Sequence, residues 1–231
     1  MTIVLEHPAT ESPTADPKPL SAIFQRYDAT WADYVAVRDN PELDCTNISF
    51  YDGWLFVDMG LEGPAHSSFS DLMTMIFGFW VLANPDVVLQ SYGRCILELP
   101  DTHACGPDLV LYKGDNIPRW KVGEPRRILF NRDRVPDLVG EISDTSLSID
   151  LDEQKRLYAS LGIAEYWVID VKGKQIFAFE LTEDKVYKTI EVSQVLTGLP
   201  IALIEQTLER LETDTNTAAA SWLMLQLQNR S

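Results

Sequence analysis

Three side chains in this sequence have the types and spacing needed for a phosphodiester-cleaving centre: Asp108, Glu141 and Lys155. Asp108 opens the run Asp-Leu-Val-Leu-Tyr after Pro107, and Glu141 sits near the end of Pro-Asp-Leu-Val-Gly-Glu-Ile. Successive side chains of a strand alternate between faces. Asp108, Val110 and Tyr112 therefore share one face, and Asp137, Val139 and Glu141 share another. A carboxylate among apolar strand neighbours is costly unless it is paired or metal-bound. Two such acids on neighbouring strands, with waters and phosphate oxygens, make a typical Mg²⁺ site. The ion would polarise the phosphate and lower the pKa of an attacking water. A nearby ammonium would orient that water and stabilise the transition state.

Lys155 is the candidate ammonium. On a helix it shares a stripe with Leu151, Tyr158 and Ala159, and it follows Glu141 by about one loop. A second reading stands beside this one, in which Lys155 is a surface lysine whose stem is buried and whose head reaches solvent. Asp108 after Pro107 also fits a strand-entry cap, as does Asp137 after Pro136, and for Asp137 the structural role is preferred. Glu141 also fits as a partner for an arginine of the 119–134 stretch.

The elements that must position these residues are legible in outline. Thr30 can cap a short helix with Trp31, Tyr34, Val35 and Val37 on one face. Asp52-Gly53 lies between two β-rich runs, a strong hairpin signal. Residues 66–83 form an amphipathic helix with Phe69, Leu72, Met73, Ile76, Phe77 and Trp80 as its core stripe, stopped by Asn84-Pro85. Residues 87–99 predict a strand. Asp150 with Glu153 predicts a capped helix, ended by Gly162. Residues 164–170 predict a buried strand that pairs antiparallel with 174–181, and a turn at 182–185 leads to another strand. Helices are expected near 200–211 and 218–227. The order predicts a mixed α/β (α+β) fold, a β-sheet flanked by helices. Residues 1–19 read as a flexible tail, 20–199 as the main domain, and 200–231 as a helical segment packing on that domain or on a partner.

Composition sets the limits. The chain has 231 residues, 45% hydrophobic and 23% charged, which is ordinary for a globular protein. No apolar run reaches the roughly 20 residues of a membrane span, and no secretory signal is visible. Cys45, Cys95 and Cys105 form neither a disulfide framework nor a close metal-binding pair, so a reducing cytoplasm is the expected location. There is no phosphate-binding glycine loop and no serine-hydrolase elbow. The net charge of −16 argues against a broad nucleic-acid-binding surface. Phosphate chemistry here must be local. The stretch 113–134, with Lys113, Arg119, Lys121, Arg126, Arg127, Arg132 and Arg134, reads either as a solvated connection or as a loop that guides phosphates.

Three stretches carry a family resemblance: PDLVGEISDTS, the helix DEQKRLYASLG, and AEYWVID. In this order and spacing they resemble the Uma-type restriction endonuclease family, a branch of the PD-(D/E)XK nuclease superfamily. The likeness extends over roughly residues 30–200, with GPDLVLY similar to the earlier PD strand and TWADYVAVRDN similar to the N-terminal element. It implies a restriction-endonuclease-like fold and a Mg²⁺-dependent (or Mn²⁺-dependent) endodeoxyribonuclease. It implies Asp108 and Glu141 as metal ligands, Lys155 as the lysine moved to the following helix, and DNA and a second copy of the chain as partners. His66 matches a histidine of the family and is a candidate for supporting the metal site or binding phosphate; a structural histidine is the other reading. Two departures stand out. Ser143 occupies the position of the strict motif's lysine, and Asp144 stands where the family commonly has proline. Asp144 is either an added ligand or a solvated loop acid. A regulatory or interaction module built on the same fold, without catalysis, is the alternative function.

Overall fold

The computed structural model describes residues 23–43, 47–60 and 62–229; the expected tail over 1–19 lies outside them. Strand β1 (Ile23–Arg26) leads to helix α1 (Trp31–Arg38). Thr30 caps α1 as its sequence predicts, and Asp33 makes the cap a reciprocal box. β2 (Asn47–Tyr51) and β3 (Trp54–Asp58) form the expected hairpin, with positive φ at Asp52 and Gly53 as a two-residue hairpin turn requires. Helix α2 (Pro64–Ala83) buries the six residues of the predicted stripe. Each contributes about 1.5–3 kcal/mol of burial.

The strand expected over 87–99 is two strands, β4 (Leu89–Gly93) and β5 (Leu97–Leu99). Arg94, at φ 47°, turns the chain between them, and they join different sheets. β6 (His103–Cys105), β7 (Leu109–Lys113), the short β8 (Ile128–Leu129) and β9 (Leu138–Ser143) follow. The helix predicted to start at Asp150 begins earlier. A single turn, α3 (Leu147–Ile149), runs into a π-helical turn (Asp150–Gln154) and then α4 (Lys155–Leu161), which ends at Gly162 with φ 78°. Asp150 is therefore not a helix cap. It is buried inside the wide turn, and its carboxylate accepts the Ser146 hydroxyl at 2.6 Å. β10 (Glu165–Asp170), β11 (Gln175–Leu181), β12 (Tyr187–Thr189), α5 (Ile201–Glu209) and α6 (Asn216–Gln228) complete the order.

Among the described residues two six-stranded sheets result, ordered β1-β3-β2-β6-β5-β8 and β12-β11-β10-β9-β7-β4. In the second, β9 and β10 are parallel, joined by the α3–α4 crossover, and β10 pairs antiparallel with β11 as expected. β9 and β10 are buried at every position. This follows from cover on both faces. One face packs on α2, α5 and α6 through Leu72, Ile76, Trp167, Ile204 and Leu223. The other packs on α4 through Val139, Leu157, Tyr158, Tyr166 and Val168. The C-terminal helices thus share the main core, while Leu225 stays exposed. Asp137 has the structural role expected of it: its carboxylate takes the Lys113 amide at 2.6 Å and the Arg134 guanidinium at 2.9 Å.

Candidate functional site

The pairing of β7 with β9 is antiparallel and sets Leu109 opposite Gly140. One residue beyond that pair, Asp108 stands beside Glu141. β4 continues the row, because Gly93 faces Leu109 and the Arg94 amide reaches the Asp108 carbonyl at 3.3 Å. Alternation and register together therefore line up Arg94, Asp108 and Glu141 across three strands. Asp108 Oδ2 also accepts the Ile142 amide at 2.8 Å, which fixes the carboxylate at the strand end.

The N-terminus of α2 closes over this row. His66, in its first turn, places Nε2 3.1 Å from Asp108 Oδ2. Its Nδ1 lies 3.4 Å from Glu62, just ahead of the helix. Arg94 contacts Glu62 and approaches Asp108 Oδ1 at 3.4 Å. The positive end of α2 adds a partial charge of the same sign as Arg94.

The crossover supplies the third wall. Asp150, Gln154 and Tyr158 recur at helical i, i+4 spacing and are all buried. Tyr158 hydrogen-bonds Glu141 Oε1, and the Gln154 amide donates to Ser49 Oγ at 3.0 Å. Gln154 Oε1 has no partner among the described residues. Burial raises the Glu141 pKa well above the usual carboxylate range, and the charges of Asp108 and Asp150 push it further. Asp150 is pushed up to about 6, again chiefly by burial, although the Ser146 hydroxyl favours its ionised form. Buried acids crowded together in this way call for protons or a cation.

The donor chemistry fits a hard divalent ion. One ligand atom each from Glu62, His66 and Asp108 lies within 4.8 Å of the others, and Glu141 stands next in the row. Lys155 is not brought to this cluster. Its ammonium lies 3.5 Å from the centroid of the Phe179 ring, and burial there lowers its pKa. Phe179 is on β11, two strands from the β9 strand that carries Glu141, so the ammonium is held over a different strand from the acids. Asp144 does not join the cluster either; its backbone carbonyl and carboxylate both receive Lys172. Sequence reasoning missed Glu62, Arg94 and Gln154, and read Asp150 only as a cap. The spacing Asp150–Gln154–Tyr158 was a usable signal, whereas nothing local points to Glu62 or Arg94.

A two-sheet α/β architecture with an acidic cluster at the end of adjacent strands is the arrangement of a nuclease fold. The chain belongs to the Uma2 family, described as "Putative restriction endonuclease", whose match covers residues 31–216. A solved structure described as "a putative nuclease" from Anabaena variabilis is similar in fold, with a TM-score of 0.52 and 17% identity over 84% of this chain and 99% of that one. No curated protein matches the sequence. No helix among the described residues is long and apolar enough to cross a membrane.

Proposed function

We propose that this protein is a Mg²⁺-dependent endodeoxyribonuclease, with Mn²⁺ able to replace Mg²⁺. The observation that carries the reading is the buried Asp108–Glu141 pair on adjacent strands, with His66 hydrogen-bonded to Asp108. Asp108 and Glu141 would hold the ion, with His66 and Glu62 close enough to complete or support its shell. A bound Mg²⁺ supplies Lewis-acid polarisation of a phosphate oxygen and a water of lowered pKa. Tyr158 fixes the Glu141 carboxylate, and the Ile142 amide fixes Asp108. Arg94 lies against the cluster and takes the role of assisting the phosphate that was expected of Lys155. Lys155 would have to leave the Phe179 ring to take part. The enclosing helices keep bulk water from the acids, which strengthens each charge interaction. DNA is the proposed substrate. A homodimer, presenting one site to each strand, is the proposed assembly, and sedimentation would detect it.

The test is incubation of pure protein with plasmid and single-stranded DNA in Mg²⁺ or Mn²⁺. Cleavage should fall by about 100-fold or more in Glu141→Gln and Asp108→Asn, because each change removes a charge from the ion's shell. Equal cleavage by these variants would refute the reading. One observation favours a second reading, a nuclease-fold binding protein without catalysis. The buried crossover face presents neutral Gln154, and the adjacent ammonium is stacked away on Phe179. That reading predicts Mn²⁺ binding with no cleavage by the native chain.

A further inference from the structure

Beyond β4, on the sheet face that carries Asp108 and Glu141, lies a cavity of about 270 Å³ lined mainly by apolar surface. Tyr92 forms part of its wall, with its ring edge-on to Tyr112 and its hydroxyl bonded to the Pro118 carbonyl. Cys95, next to Arg94 of the acidic cluster, forms another part. Trp120 stands at the rim. Its indole N–H is fixed on the Glu124 carbonyl at 2.9 Å, yet the residue is 54% exposed. The turn beneath it is ordered by the Glu124 amide on the Lys121 carbonyl and by the Lys121 amide on the Glu124 carboxylate. The indole is thus a held, solvent-facing plane.

Four arginines line the same cavity, and they divide into two kinds. Arg127 is paired with buried Glu98, and Arg132 with Glu124 and Asp133. Arg119 and Arg126 line the cavity too and have no ion-pair partner among the described residues. In a chain of net charge −16, two uncompensated guanidiniums around an apolar slot are a local exception. They select an anion that also has a flat apolar part. A nucleotide has both, since its base can stack on an aromatic face and its phosphate can meet a guanidinium.

We propose that this cavity binds an unpaired nucleotide of a DNA strand whose backbone continues past Arg94 to the acidic cluster. The base stacks on Trp120 at the mouth of the Tyr92 slot, and its phosphates lie on Arg119 and Arg126. The direction of the strand rests on the nuclease reading, while the binding of the nucleotide does not. Stacking on an indole is available only to an unpaired base, so the site prefers single strands, frayed ends or flipped nucleotides to intact duplex.

The experiment measures fluorescence anisotropy of a labelled ten-nucleotide single strand, and of its duplex, on the full chain in chelator, where metal-dependent cleavage is off. Free deoxynucleoside monophosphate is the competitor. The single strand should bind more tightly than the duplex. Trp120→Ala and the double variant Arg119→Ala/Arg126→Ala should each weaken it about tenfold or more. Trp120→Phe should stay within about threefold of the native chain, because the stacking plane survives. Circular dichroism melts establish that each variant is folded. The proposal is overturned by absence of saturable single-strand binding, by native affinity in the Ala variants, or by binding of the mononucleotide but not the strand. Strand binding that shows this variant pattern without any cleavage in Mg²⁺ supports the proposal and counts against the nuclease reading alone.

Discussion

Glu141 is held in a state that only a proton or a cation relieves: it is buried, and Asp108 and Asp150 face it. Neutralising it should therefore stabilise the metal-free protein while removing its function, the usual trade at a strained site. Glu141→Gln is expected to raise metal-free stability by about 1 kcal/mol, measured by urea denaturation in chelator, and to lose the stabilisation that Mn²⁺ gives the native chain. A lower metal-free stability would contradict the crowding. The arginine and the lysine separate in the same way. Arg94→Ala should slow cleavage by about tenfold or more, since a charged contact to phosphate is lost. Lys155→Met should leave cleavage within about threefold and cost about 1 kcal/mol or less through loss of the Phe179 contact. The reverse order of effects would restore Lys155 to the site.

At the scale of elements, the acidic pair is a product of strand alternation plus register. Alternation was legible: it placed Asp108 with Val110 and Glu141 with Val139, and those faces are the ones observed. The register that adds Arg94 was not legible, because it depends on a turn at positive φ that splits one apparent strand into two. The π-helical turn was equally hidden, since an i→i+5 turn leaves no periodic signature of its own. It carries Asp150 and Gln154 inward and Lys155 onto Phe179. The stripe expected of Leu151, Lys155, Tyr158 and Ala159 is otherwise kept: the three apolar-bodied residues pack on one core, with Lys155 over Phe179 of the same core. The Thr30 cap, the hairpin and the α2 stripe were legible because their signals are local. Gly140 shows how tightly this region is built. A Cβ there would come within 3.1 Å of Leu109 Cδ1 and 3.4 Å of the Trp167 carbonyl. Gly140→Val should cost about 1–3 kcal/mol through overpacking next to Glu141, read as a fall in the urea midpoint.

The molecule as a whole carries −16, and its positive charge is local. Lys113, Arg127, Arg132 and Arg134 of the basic stretch are spent on internal contacts, which leaves Arg119, Lys121 and Arg126. DNA binding should accordingly involve few phosphates, and the slope of log K against log salt should be about −2, well short of the values reached by broad basic surfaces. A slope near −6 or steeper would require a surface that the described residues do not offer. The central claim is that Asp108 and Glu141 hold one divalent cation. Calorimetric titration of the native chain with Mn²⁺ tests it most directly. One saturable site per chain, abolished in both Asp108→Asn and Glu141→Gln, is the result expected; no saturable binding, or the same binding in either variant, would contradict it.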